Sequence, residues 1–175
     1  QDAADRAGKR ERYLQGMADI CRVLHQRFRC SILLIPHSRG PSPGENDIPI
    51  TSLLNERIAG SIPARSIRFL RGEELGSPDR VAASLKKCDL VISSRFHAAI
   101  LGLAAGVPVI AIGYHHKSEG IMRMMGLSDF FTPMDDLSVD RVVARASGIL
   151  QDSAALRERI ASAVSNGGPE APDSP

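Results

Sequence analysis

The chain has 175 residues, a formal net charge of +2, 43% hydrophobic and 24% charged residues, the make-up of one globular domain with a real core rather than a disordered segment. So small a charge, with Lys and Arg interspersed among Asp and Glu, excludes a global field that recruits nucleic acid. Five Phe, two Tyr and no Trp leave little from which to build base-stacking platforms, so nucleic acid is not expected as a partner.

In chain order, residues 8–28 place Tyr13, Leu14, Met17, Ile20, Cys21, Leu24 and Phe28 at three- and four-residue steps, which predicts an amphipathic helix. Residues 31–36, Ser-Ile-Leu-Leu-Ile-Pro, predict a buried strand, and a polar loop over 37–47 follows. Asp47 is expected to cap a helix with the stripe Ile50, Leu53, Leu54 and Ile58. Residues 66–70 predict a second strand. Ser77-Pro78 opens a helix to about residue 87, because Ser caps well and Pro suits a first turn. Residues 89–93 predict a third strand, and 96–105 a helix apolar all round, closed by Gly106 and Pro108. A fourth strand over 107–112 and a short helix over 118–125, ended by Gly126, come next. A short edge strand is expected over 129–132 and two helices over 138–150 and 153–165. Residues 166–175 are rich in Gly, Pro and acid and predict a disordered tail.

Helices alternating with near-continuous apolar strands predict an α/β fold: a Rossmann-like parallel sheet with helices on both faces, occupying residues 1–165 as one domain. Opening on a helix predicts that a first strand lies upstream, in a longer protein. Cys21, Cys30 and Cys88 are odd in number and lack CxxC spacing, so they read as reduced thiols of a cytoplasmic protein. No apolar run reaches the ~20 residues of a membrane helix, and no signal peptide is visible.

In open parallel sheets ligands bind beyond the carboxyl ends of strands. There this sequence places His37, Ser38 and Arg39; then Arg71; then Ser94, Arg95 and His97; then Tyr114, His115, His116 and Lys117. Four of the five histidines fall in these positions. Arg95-Phe96-His97 is the sharpest feature, sitting where a strand turns into a buried helix. A helix N-terminus offers N–H groups and partial positive charge, and a guanidinium adds a planar fork, which together suit an anion. His97 is placed to act as general acid or as an anion donor; a structural role, pairing for Arg95 and packing for His97, is the competing reading. Lys117 can reach the same anion or stand solvated in its loop. His37 either faces the cleft or forms a turn. Glu119 suits the helix dipole. His115-His116 has no ligand spacing, so no metal is expected. Neither a P-loop nor GxGxxG is present, which speaks against ATP and dinucleotides.

From Ile92 to Lys117 the sequence reads Ser-Arg-x-His, an apolar helix, Gly-Val-Pro, a strand, then Tyr-x-x-Lys. This pattern, with Leu-Ile-Pro-His37 and Asn46-Asp47 upstream and residues 120–127 after it, resembles the polysaccharide pyruvyl transferase family over about residues 10–150. The resemblance implies the C-terminal, donor-binding half of a two-domain enzyme similar to GT-B glycosyltransferases. Such an enzyme moves pyruvyl from phosphoenolpyruvate to a sugar of a cell-surface polysaccharide, making a ketal. It implies His97 as catalytic proton donor and Arg95, Lys117, Ser94, His37 and Tyr114 as donor-binding residues. It also implies no cofactor besides the donor substrate, a saccharide or lipid-linked saccharide acceptor, an N-terminal domain outside this chain, and a cytoplasmic location reaching the inner face of the membrane.

Two other functions compete. A nucleotide-sugar glycosyltransferase shares the architecture, but the position where such enzymes place a second ribose-holding glutamate after Glu119 is Leu127. A non-catalytic anion-binding domain is the third, against which the presence of both Arg95 and His97 argues.

Overall fold

Short apolar strands joined through helices pair only in parallel, because each crossover returns the chain to the same end of the sheet. The computed structural model describes residues 3–38, 40, 46–113 and 116–166, with residues 3, 116 and 117 described by backbone alone. Among these residues every strand pair is parallel. The helices are α1 (Ala3–Phe28), α2 (Ile48–Ala59), α3 (Pro78–Leu85), α4 (Phe96–Ala104), α5 (His116–Met124), α6 (Val139–Gln151) and α7 (Ala154–Ser165). The strands are β1 (Ile32–Leu34), β2 (Ile67–Phe69), β3 (Val91–Ser93), β4 (Val109–Gly113) and β5 (Phe131–Pro133). This is the Rossmann-like α/β alternation the sequence predicts, divided between a sheet ordered β1-β2 and one ordered β3-β4-β5. The chain forms two compact units, Gln1–Leu75 with Ser138–Val143, and Gly76–Leu137 with Ala144–Pro175.

In the first unit, α1 buries Leu14, Met17, Ile20, Cys21 and Leu24, most of the predicted stripe, and packs on α2. Arg22 fastens the pair: its guanidinium takes Asp19 on its own helix at 2.7 Å and the Arg57 carbonyl of α2 at 2.7 Å. Past α1, Arg29 takes the left-handed conformation (φ 54), its N–H donates to the His25 carbonyl at 2.9 Å, and His25 Nδ1 lies 2.8 Å from the Cys30 carbonyl. The turn is thereby closed around a buried histidine. β1 and β2 run in register, Leu34 beside Phe69, and the Leu70 N–H bonds the Leu34 carbonyl at 3.0 Å.

In the second unit β4 is central and buried at all five residues. α4 lies over β3 and β4, and Gly102 makes that approach possible: a Cβ there would stand 2.8 Å from Val109 Cγ2. The edge strand β5 leaves the Phe131 carbonyl to Arg145 of α6, which donates to it at 3.0 Å and to the buried Thr132 hydroxyl at 2.8 Å. α7 supplies two more arginines. Arg157 donates to the Gly106 carbonyl at 3.1 Å, and Arg159 donates to the Gly126 carbonyl. Both glycines hold positive φ, 72° and 67°, just past the ends of α4 and α5. Helix C-termini carry partial negative charge and unpaired carbonyls, so a cation there is stabilising.

The boundaries differ from expectation in instructive places. Asp47 stands at the N-cap position of α2 but makes no side-chain cap bond. Its buried carboxylate instead accepts from the Ser38 N–H at 2.9 Å while its own N–H donates to the Ser38 carbonyl at 2.8 Å. A buried carboxylate is better satisfied closing the loop behind β1, and Asn46 Oδ1 takes the Ile48 N–H at 3.0 Å in its place. α5 begins at His116, two residues before the expected start at Ser118. Ser77 caps α3 as predicted, accepting from the Arg80 N–H at 3.3 Å. Asn166 ends α7; residues 167–175 of the expected tail lie outside the described residues. No described helix is long and apolar enough to cross a membrane.

Two expectations follow. Gly102→Ala forces α4 off its strands and lowers stability by about 1–3 kcal/mol, read as a shift in the urea midpoint. Burial, with Cys30 adding to it, pushes the Cys21 thiol from its ordinary 9.0 up to about 12. The folded chain therefore keeps a proton that the unfolded chain loses. This contribution is complete below pH 9 and fades as pH rises toward 12, so stability declines more steeply over that range in the wild type than in Cys21→Ala. Equilibrium unfolding at stepped pH measures the difference; equal slopes would refute it.

Candidate functional site

The site grows from the turn between β3 and α4. Ser93 ends β3 with a buried side chain. Its hydroxyl donates to the Arg95 carbonyl at 2.9 Å and accepts from the Arg95 N–H at 3.2 Å. A serine bonding a residue two places on is a local turn device, and here it fixes the backbone of the arginine. Arg95 is extended (φ −107, ψ 130) and occupies the N-cap of α4. Its carbonyl already accepts the first helical bond, from the Ala99 N–H at 3.0 Å. A guanidinium has no acceptor, so this cap gives the first-turn N–H groups no side-chain partner and adds a cation where the helix dipole is already positive.

Ser94 and Arg95 are half-buried and His97 is exposed. The His97 ring stands edge-on to Phe96, with centroids 5.3 Å apart and an interplanar angle of 69°. His97 sits in the first turn of α4, so its imidazole, the helix start and Arg95 share one end of one helix. An exposed histidine beside a cationic helix start can donate a proton or a hydrogen bond to an incoming anion.

The parallel register places a second helix start beside it. Ser93 pairs with Ala111, so the carboxyl ends of β3 and β4 lie side by side. β4 closes on Gly113, where a Cβ would meet Phe131 Cε2 and Ser118 at 3.3 Å. α5 then starts at His116, with Lys117 in its first turn rather than in a loop. The backbone thus brings Ser94, Arg95, His97 and Lys117 to the same edge of one sheet. The Lys117 side chain and the whole of Tyr114 lie outside the described residues. His37 is half-buried just past β1, at the carboxyl edge of the other sheet. Among the described residues no group of three or more His, Cys, Asp and Glu is arranged to hold a metal ion.

Ser93 is the contributor that sequence reasoning passed over. Its signal was present, a serine closing a strand two places before a helix-capping arginine, but a strand-end serine reads equally as an ordinary turn former. Ser93→Ala leaves the Arg95 backbone groups without that partner and costs about 1–2 kcal/mol of stability. Faster amide exchange should appear at Arg95 and through the first turn of α4; protection unchanged at both would contradict the clamp.

The family model described as polysaccharide pyruvyl transferase matches residues 3–116. The match takes in His37, Ser94, Arg95, His97 and Tyr114 and stops one residue before Lys117. The chain is also 34% identical over 80 residues to the amylovoran biosynthesis protein AmsJ of Erwinia amylovora, a stretch covering 46% of this chain and 19% of that protein. No solved structure matches. With the match spanning well over half its length and including the whole Ser-Arg-x-His turn, the chain belongs to the polysaccharide pyruvyl transferase family.

Proposed function

We propose that this chain is the donor-binding part of an enzyme that transfers pyruvyl from phosphoenolpyruvate to two hydroxyls of a saccharide, forming a pyruvate ketal. The observation that carries the reading is the exposed His97 beside Arg95 at the start of α4, within a chain of this family.

Phosphoenolpyruvate carries a phosphate and a carboxylate, and it calls for several cations around a small volume. Arg95, the start of α4 and Lys117 supply them from one sheet edge, with Ser94 and Tyr114 as neighbouring donors. His37 stands at the carboxyl edge of the other sheet. One sugar hydroxyl adds to the central carbon while His97 protonates the methylene carbon, which becomes a methyl group. The C–O bond to phosphate then breaks, and a second hydroxyl of the same sugar closes the ketal. Of the two hydroxyl protons, one replaces the proton His97 gave up and the other leaves with the phosphate. Arg95, Lys117 and the helix start stabilise the charge that grows on the departing phosphate. No metal or further cofactor has a part in this scheme. The acceptor, a saccharide or lipid-linked saccharide, is held mainly by a domain outside these residues, and the use of a central metabolite sets the reaction in the cytoplasm at the inner face of the membrane.

Phosphoenolpyruvate is expected to raise the melting temperature of the chain more than UDP-sugars do. In the whole enzyme, His97→Ala is expected to lower kcat by about 100-fold or more, the usual weight of a positioned general acid, with donor binding little changed. A larger thermal shift with UDP-sugars, or undiminished turnover in the variant, would overturn the assignment.

A further inference from the structure

A second cationic edge lies in the first unit. Leu34 pairs with Phe69, and Leu70 bonds back to Leu34, so the parallel register carries Arg71 to the level of Pro36, one residue before His37. Immediately after Arg71, Gly72 takes positive φ (57°) and turns the chain away. Arg71 is exposed, and its guanidinium stacks on the Phe69 ring, 4.6 Å from the centroid. A ring beneath the cation restrains the side chain without engaging a carboxylate.

The neighbouring cation behaves differently. Arg68 is paired with Glu74, whereas the Arg71 carbonyl takes the Glu74 N–H at 3.2 Å and its guanidinium has no hydrogen bond or ion pair among the described residues. A pre-oriented guanidinium without a carboxylate, at the carboxyl end of a parallel strand, is where such folds recognise ligands.

We infer that this edge, with Arg71 as its principal contact and His37 beside it, binds an oxyanion carried by the saccharide acceptor: a uronate carboxylate or a sugar phosphate. The inference rests on the pyruvyl-transfer reading only for naming the acceptor. The two anions of phosphoenolpyruvate are matched by Arg95, Lys117 and the start of α4, and the remaining partner of the reaction is the saccharide. Phe69 is a positioning residue that holds the guanidinium plane.

Titration of the chain with inorganic pyrophosphate and, separately, with glucuronate tests this, followed by NMR of the Arg71 Nε–H and the His37 ring. At least one of the two anions is expected to move both signals: pyrophosphate if the acceptor presents phosphate, glucuronate if it presents carboxylate. Arg71→Gln and Arg71→Lys should each weaken that binding tenfold or more, the lysine because it lacks the fork, and Phe69→Leu should weaken it severalfold. The thermal shift with phosphoenolpyruvate should be unaltered in all three. Silence of the Arg71 signal toward both anions, wild-type affinity in Arg71→Gln, or loss of the phosphoenolpyruvate response instead would overturn the subsite. A wild-type chain that ignores phosphoenolpyruvate yet binds pyrophosphate or glucuronate through Arg71 would remove the donor assignment and uphold the oxyanion subsite.

Discussion

The candidate site depends on one hydrogen-bonded turn, the Ser93 hydroxyl bridging the N–H and carbonyl of Arg95. Without it the arginine would sit on a loose connection, and backbone entropy there would have to be lost each time an anion bound. With it, the backbone of the cap is fixed before any ligand arrives. The same turn sets the direction in which α4 leaves the sheet. That direction is usable only because Gly102 lets the helix lie against Val91 and Val109. The candidate site at one end of α4 is therefore tied to close packing in its middle.

The sequence foretold the elements well where one force dominated. α1 and the all-buried β4 follow from apolar spacing alone, and the cap at Ser77 follows from a hydroxyl beside a proline. It was less informative where several polar groups could satisfy the same donors. Asp47 has the right position and chemistry for a cap, yet its carboxylate is used across the loop on Ser38, a long-range choice that no local pattern encodes. The start of α5 at His116 shows a related limit. Ser118 looked like a boundary, but helix geometry continues through residues whose own signals are weak. For the site, Arg95 and His97 stood out because a charged pair interrupts two apolar elements. Ser93 did not, because its part is visible only in a pair of backbone bonds.

α7 illustrates a kind of dependence that is invisible to periodicity. Leu156 and Ile160 bury its inner face, and Arg157 and Arg159 reach the carbonyls of Gly106 and Gly126. Those glycines terminate the two helices, α4 and α5, that begin at the candidate site. A helix dipole acts over the first and last turns. Cations placed just past the far ends of α4 and α5 stand where the dipole is negative and complement the positive near ends. The last helix thus supports the candidate site without contributing a residue to it.

Two groups of arginines among the described residues are held by different means, and position separates them. Arg22, Arg145, Arg157 and Arg159 all project from helices and donate to main-chain carbonyls, each satisfying an acceptor that secondary structure leaves over. Arg71 and Arg95 instead follow the last residues of β2 and β3, where the chain turns and the carboxyl ends of the strands open outward. There the Arg71 guanidinium carbon lies over the Phe69 ring, and the Arg95 main chain is held by Ser93. Arg71 and Arg95 thus differ from these four helical arginines in what holds them, and the proposed oxyanion contacts fall on those two.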